Sequence, residues 1–241
     1  MPLTVGVLII GSLYWRNEGR ERWRECRLEK NKNYEWLVKA PIQYGRRSKN
    51  ETYTMVFSSL GGAQLGQAIV VQCKREVTSA SDLITEAEWL WSAEASRKGK
   101  ARVPPLCNHS PEHRISPRGG DWGCVALMRN PDREIPQQLL DDWAKRVVGE
   151  NKHYNANEKR LVDDRGMLQI PWPALSSDGG PVPPDLLLAT SNDRDEPPPM
   201  VKEIADAWIN NREGLDYFRC NRKHGIETSQ DEEIDVLLQR A

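Results

Sequence analysis

The chain has 241 residues, with 34 Lys and Arg against 35 Asp and Glu and a formal net charge of -1. That length suits one generous domain or a domain with an appendage, and it can bury a core without disulfide staples. The charge balance argues against a nucleic-acid coat and against a polybasic membrane-surface protein. Nine Trp beside two Phe is the unusual feature, since each indole adds a large apolar body with one N–H that needs a partner.

The five cysteines, Cys26, Cys73, Cys107, Cys124 and Cys220, are widely spread and odd in number, which predicts reduced thiols and a cytoplasmic protein. The apolar run from Leu3 to Leu13 is too short to cross a bilayer. It meets Tyr14-Trp15-Arg16 in place of a small-residue cleavage site, so it reads as a buried strand ending at Gly11-Ser12. Residues 16–33 are charged, punctuated by Trp23 and Leu28, and predict a short helix with one docking face. Glu35 to Ile42 and Thr52 to Ser58 read as strands around a basic loop at residues 45–49.

Gly66 to Cys73 is a further strand. From Ser81 to Arg97 the period changes to that of a helix, with a capping signature at Ser79 to Asp82 and Leu83, Ile84, Ala87, Leu90, Trp91 and Ala95 at helical spacing. Residues 99–120 carry Pro104-Pro105, Pro111, Pro117 and Gly119-Gly120, the composition of a long surface excursion. Trp122 to Met128 predicts a strand, and Pro136 to Val148 a helix with proline at its first turn. Beyond residue 170, prolines break every regular pattern up to short helices at Met200 to Asn211 and Asp231 to Gln239. The expected organisation is a mixed α/β domain over residues 1–170, a small β-barrel-like sheet flanked by helices. A Pro-rich wrapping segment over 171–241 would follow, its helices docking on the domain or on a partner protein.

Three groups of residues could carry chemistry. Gly11-Ser12-Leu13-Tyr14 ends the first strand, where a turn leaves N–H groups for a carboxylate or phosphate, and Tyr14 and Trp15 could wall a pocket there. Glu94 falls on the same helical face as Leu83, Ala87, Leu90 and Trp91, with Glu86 and Glu88 at or beyond the borders of that face. A carboxylate facing a core is paired, protonated or functional, and desolvation moves its pKa toward the range of a general acid or base. Cys107, His109, His113 and Cys124 offer thiolate and imidazole ligands for Zn²⁺, but without a Cys-x-x-Cys pair, so no metal or other cofactor is assigned. Cys220 and His224 are a weaker pair of the same kind. Nucleotide-binding glycine motifs are lacking.

The first strand ending in Gly11-Ser12-Leu13, the later strand Gly66-Gln-Ala-Ile-Val-Val71 and the helix bearing Leu90-Trp-Ser-Ala-Glu94 resemble the γ-glutamyl cyclotransferase-like family over residues 3–97. The resemblance implies that Gly11, Ser12 and Leu13 bind the γ-glutamyl α-amino and carboxylate groups. It also implies that Glu94 is the acid/base of an acyl transfer with a lyase outcome, acting on a small amino-acid-derived substrate. Ile10 stands where the family has an aromatic residue, and Ala95 where a glycine usually follows the glutamate. Arg46 and Arg47 in the basic loop could pair with a second substrate carboxylate. The alternative is a noncatalytic module for a small anionic or nucleotide-like ligand, with Tyr44, Arg46, Arg47 and Tyr53 supplying charge and base stacking.

Overall fold

In the computed structural model, which describes residues 1–17, 19–48, 52–58, 64–95, 123–149, 161–175, 181–192 and 198–240, the first strand lies at the centre of a five-stranded mixed sheet. This strand, β1 (Val5–Ile9), is buried at every residue. Because successive side chains point to opposite faces, both faces of the sheet are covered there. It pairs antiparallel with β5 (Gly66–Gln72) and parallel with β7 (Leu186–Asn192). Outside these lie β2 (Glu35–Ala40), antiparallel to β5, and β6 (Gly123–Arg129), antiparallel to β7. The order is β2-β5-β1-β7-β6.

The single strand expected from Glu35 to Ile42 is interrupted at Pro41, which has no N–H for a ladder. The chain leaves the sheet there and forms a separate hairpin of β3 (Ile42–Arg47) and β4 (Tyr53–Phe57). Two sheets with unjoined edge strands, β2 and β6, replace the expected barrel: among the described residues there is no closed barrel. The mixed α/β class itself holds.

The helices are α1 (Arg20–Arg27), α2 (Ala80–Ala95), α3 (Gln137–Gly149), α4 (Val201–Ile209), α5 (Arg212–Lys223) and α6 (Asp231–Gln239). The capping signature works as read: Ser79 Oγ accepts from the Asp82 N–H at 3.2 Å, and Asp82 Oδ2 accepts from the Ser79 N–H at 3.0 Å. Helix α2 packs on β6 and β7, with α1 and α3 beside it. Helices α4 and α6 pack together, and the Trp208 ring of α4 meets Tyr44 of β3 edge-on at 4.9 Å and Phe218 of α5 at 5.2 Å. Trp91, Trp143 and Trp208 are fully buried, so these indoles of the Trp excess serve the core.

The segment expected to wrap the domain enters its middle. β7 lies between β1 and β6, fastened at its start by Asp185, whose Oδ2 accepts from the Thr4 N–H at 2.8 Å and the Thr4 hydroxyl at 2.9 Å. Residues 1–170 therefore do not contain the whole sheet. Helix α5 also falls where no element was expected. Its N-cap is Asn211, whose side chain accepts from the N–H groups of Glu213 and Gly214.

Candidate functional site

Directly after β1 the chain makes a helical turn: the Tyr14 N–H donates to the Gly11 carbonyl at 3.1 Å and the Arg16 N–H to the Ser12 carbonyl at 2.9 Å. Gly11 is buried against α5, and a Cβ there would lie 2.6 Å from the Tyr217 hydroxyl. Glycine is needed at this position for close approach, because the tyrosine fills the space a side chain would take. That hydroxyl accepts a hydrogen bond from the Met55 N–H at 3.2 Å, which ties the turn, the hairpin and α5 together.

Ser12 is half-buried and faces Arg20, the first residue of α1. Arg20 donates through Nη1 to Ser12 Oγ at 2.7 Å and through Nε to the Ala93 carbonyl of α2 at 3.2 Å. Its Nη2 lies 3.8 Å from Oε2 of Glu94. The serine of the β1 turn and the glutamate of α2 thus meet at one guanidinium. Their side chains are not isolated in the interior: Glu94 retains 15% of its exposure and Arg20 9%.

Burial pushes the Glu94 carboxyl above its ordinary range, and the Arg20 and Arg46 guanidiniums pull it part of the way back. The Tyr217 hydroxyl is raised as well, first by burial and in smaller part by the Glu94 charge. Glu94 is therefore surrounded by Arg20 from α1, Arg46 from β3 and Tyr217 from α5. A desolvated carboxylate beside Arg20 holds its proton more readily than an exposed one, which is the direction a general acid/base needs.

The arginines expected on a basic loop sit in β3. The pairing runs Tyr44 with Met55 and then Arg46 with Thr54, leaving Gly45 as a bulge that re-aims the strand. Arg46 is half-buried with its charge felt at Glu94, whereas Arg47 is exposed and lies over the Tyr53 ring at 5.9 Å. Tyr44 and Tyr53 are 0% and 3% exposed, so they cannot stack a nucleotide base as the alternative reading required.

Tyr14 and Trp15 are both engaged by neighbouring side chains. The Tyr14 hydroxyl donates to Glu35 at 2.7 Å and accepts from Lys32, and its ring meets His224 edge-on. The Trp15 N–H donates to Asn221 Oδ1 of α5 at 2.7 Å. Both anchor the turn on neighbouring structure. Leu13 is buried core.

Arg20 is not singled out by the sequence reading, which expects a short helix in residues 16–33 with Trp23 and Leu28 as its apolar residues. The signal was the spacing of Arg20, Trp23 and Arg27, at i, i+3 and i+7, one stripe of a helix. All three are buried. Glu86 is buried too, although the helical spacing puts it at the border of the apolar face. It pairs with Arg27, and burial outweighs that pairing to raise its carboxyl pKa. Glu88 keeps partial exposure opposite Arg146 of α3 at 3.6 Å.

Cys107, His109 and His113 lie outside the described residues, while Cys124 is buried in β6. Among the described residues no group of three His, Cys, Asp or Glu side chains is placed to hold a metal, and no helix is long and apolar enough to cross a membrane. Cys26, Cys73 and Cys220 are free thiols. Compared with known proteins, no family model, no curated protein and no solved structure matches the chain.

Proposed function

We propose that the chain is a γ-glutamyl cyclotransferase-like enzyme, or a divergent relative, that acts on a small amino-acid-derived substrate at the end of β1. The observation that carries this reading is the meeting of Ser12 and Glu94 at Arg20, since residues 82 positions apart converge on one charged group. In the proposed reaction the substrate's α-amine attacks its own γ-carbonyl carbon. The new C–N bond closes 5-oxoproline as the γ-amide C–N bond breaks. Glu94 takes the proton of the attacking amine and returns it to the leaving amine, so the proton count balances. Alignment supplies much of the acceleration, because nucleophile and electrophile share one molecule. The backbone of the Gly11-Ser12-Leu13 turn and the Ser12 hydroxyl would fix the substrate, and Arg46 would pair with a further carboxylate.

The free thiols fit the cytoplasmic placement that belongs to this reading. A second reading, capture of a small anionic ligand without turnover, is favoured by the two guanidiniums around one carboxylate. Incubation with γ-glutamyl dipeptides separates the two. The enzyme reading expects 5-oxoproline from the wild type and a loss of at least about a hundredfold in Glu94→Gln, the usual scale for a general acid/base. Equal product from both proteins removes Glu94 from the mechanism, and no product from either favours the binding module.

A further inference from the structure

Two arginines of α1 reach two glutamates of α2, and they do so differently. Arg27 engages Glu86 through both Nε and Nη2, with Nε to Oε2 at 2.9 Å. Arg20 makes no hydrogen bond to Glu94, because 3.8 Å is an ion-pair distance beyond hydrogen-bond reach. A guanidinium has five N–H groups. Arg20 uses its Nε–H on Ala93 and one Nη1–H on Ser12, so the other three have no acceptor among the described residues.

The Arg20 side chain keeps 9% of its exposure, and its Nη2 is not among the buried polar atoms that lack a partner, so this edge of the guanidinium can be reached from solvent. Ser12 is incompletely used as well: its Oγ accepts from Arg20, and its own hydroxyl proton has no acceptor among the described residues. A guanidinium edge and a serine O–H, both unmatched and adjacent, form a receptor for one carboxylate. Among the described residues, the groups that act on Glu94 are Arg20, Arg46 and the Tyr217 hydroxyl.

We propose that Arg20 receives the carboxylate of the ligand, and that Glu94 is the internal carboxylate which this ligand displaces from it. The inference rests on the end of β1 being the ligand site, but it does not require turnover. When a carboxylate takes the Arg20 donors, Glu94 loses its nearest compensating cation while remaining buried, and its proton affinity rises. A ligand that brings an α-ammonium supplies the proton itself, the transfer that amine attack requires. A ligand without one, such as 5-oxoproline, draws the proton from solvent. Ligand binding and the protonation of Glu94 are in this way one event.

Calorimetric titration with 5-oxoproline and with its neutral amide, in two buffers of different ionisation enthalpy, tests this directly. The wild type is expected to bind the acid with proton uptake and to bind the amide at least about tenfold more weakly. Glu94→Gln, which keeps Arg20 and removes the competing charge, is expected to bind the acid about tenfold more tightly with no proton uptake. Equal affinity for acid and amide overturns the proposal. So does unchanged or weaker binding in Glu94→Gln, or absence of 5-oxoproline binding to both proteins at millimolar concentration. Release of 5-oxoproline from γ-glutamyl dipeptides without proton-linked binding leaves the cyclotransferase reading standing and removes this one. Proton-linked binding without turnover does the reverse.

Discussion

Arg27 of α1 and Glu86 of α2 form a two-point ion pair with side chains 7% and 4% exposed. Arg27 also lies over the Trp89 ring at 5.6 Å. The pair holds α1 against α2, and hence sets the position of Arg20 seven residues earlier. Removing one member strands the other charge in the interior. Arg27→Met is therefore expected to destabilise the protein by about 3 to 5 kcal/mol, and Arg27→Met with Glu86→Leu by clearly less. Urea unfolding of the three proteins measures this; a double variant as unstable as the single one contradicts it.

The contact between Gly11 and Tyr217 makes a coupled prediction. Gly11→Ala places a methyl group on the Tyr217 hydroxyl and should cost about 1 to 3 kcal/mol. In a Tyr217→Phe background the same substitution meets no hydroxyl and should cost less. A double-mutant cycle reads the difference as a coupling energy, and strict additivity would show that the close approach is not what requires glycine.

Trp15→Phe removes the donor that satisfies Oδ1 of Asn221, a residue with no exposure at all. An unpaired buried carbonyl of this kind costs about 1 to 3 kcal/mol. The expected outcome is a lower unfolding midpoint, with α5 losing amide-exchange protection before the central sheet does.

Asp231 opens α6 and accepts from the Thr228 N–H at 3.0 Å, yet burial raises its carboxyl to about 6, with Glu227 adding to the shift and Arg222 opposing it. Its unfolded value is near 3.9. Below about pH 4 the group is protonated in both states. From there to about pH 6 the folded state holds a proton that the unfolded chain has lost, so stability falls as pH rises, then levels off. Asp231→Asn keeps the acceptor for Thr228 and cannot ionise. Its stability relative to wild type should grow by on the order of 2 to 3 kcal/mol between pH 4 and pH 7. Thermal unfolding at the two pH values gives the comparison, and a constant gap rules out a buried ionised Asp231 at neutral pH.

Strand and helix periodicity made much of the framework legible. The run from Val5 to Ile10 reads as a buried strand because all of its side chains are apolar or absent, and α2 announces itself through Ser79, Asp82 and its apolar stripe. Strand β7 was hidden by its flanks. Pro183-Pro184 and the Pro197 to Pro199 run marked the region as irregular, although Leu186-Leu-Leu-Ala-Thr190 between them is strand-like. Helix α5 was hidden by charge: Arg212, Arg219, Arg222 and Lys223 obscure the buried stripe of Gly214, Tyr217, Phe218 and Asn221.

For the candidate site, the sequence by itself determined the members that carry a local signature. Ser12 follows a strand and a glycine, and Glu94 lies on an apolar helical face. Only the tertiary structure decided what joins them. An arginine in a charged stretch reads as solvated until a second helix covers it, and the acceptors of Arg20 come from residue 12 and residue 93, on two different elements. The same holds for the barrel that did not form: each strand was written in local pattern, but Pro41 and the distant β7 fixed which edges pair. Periodicity is a property of neighbours along the chain, whereas the compensation of a buried charge depends on neighbours in space.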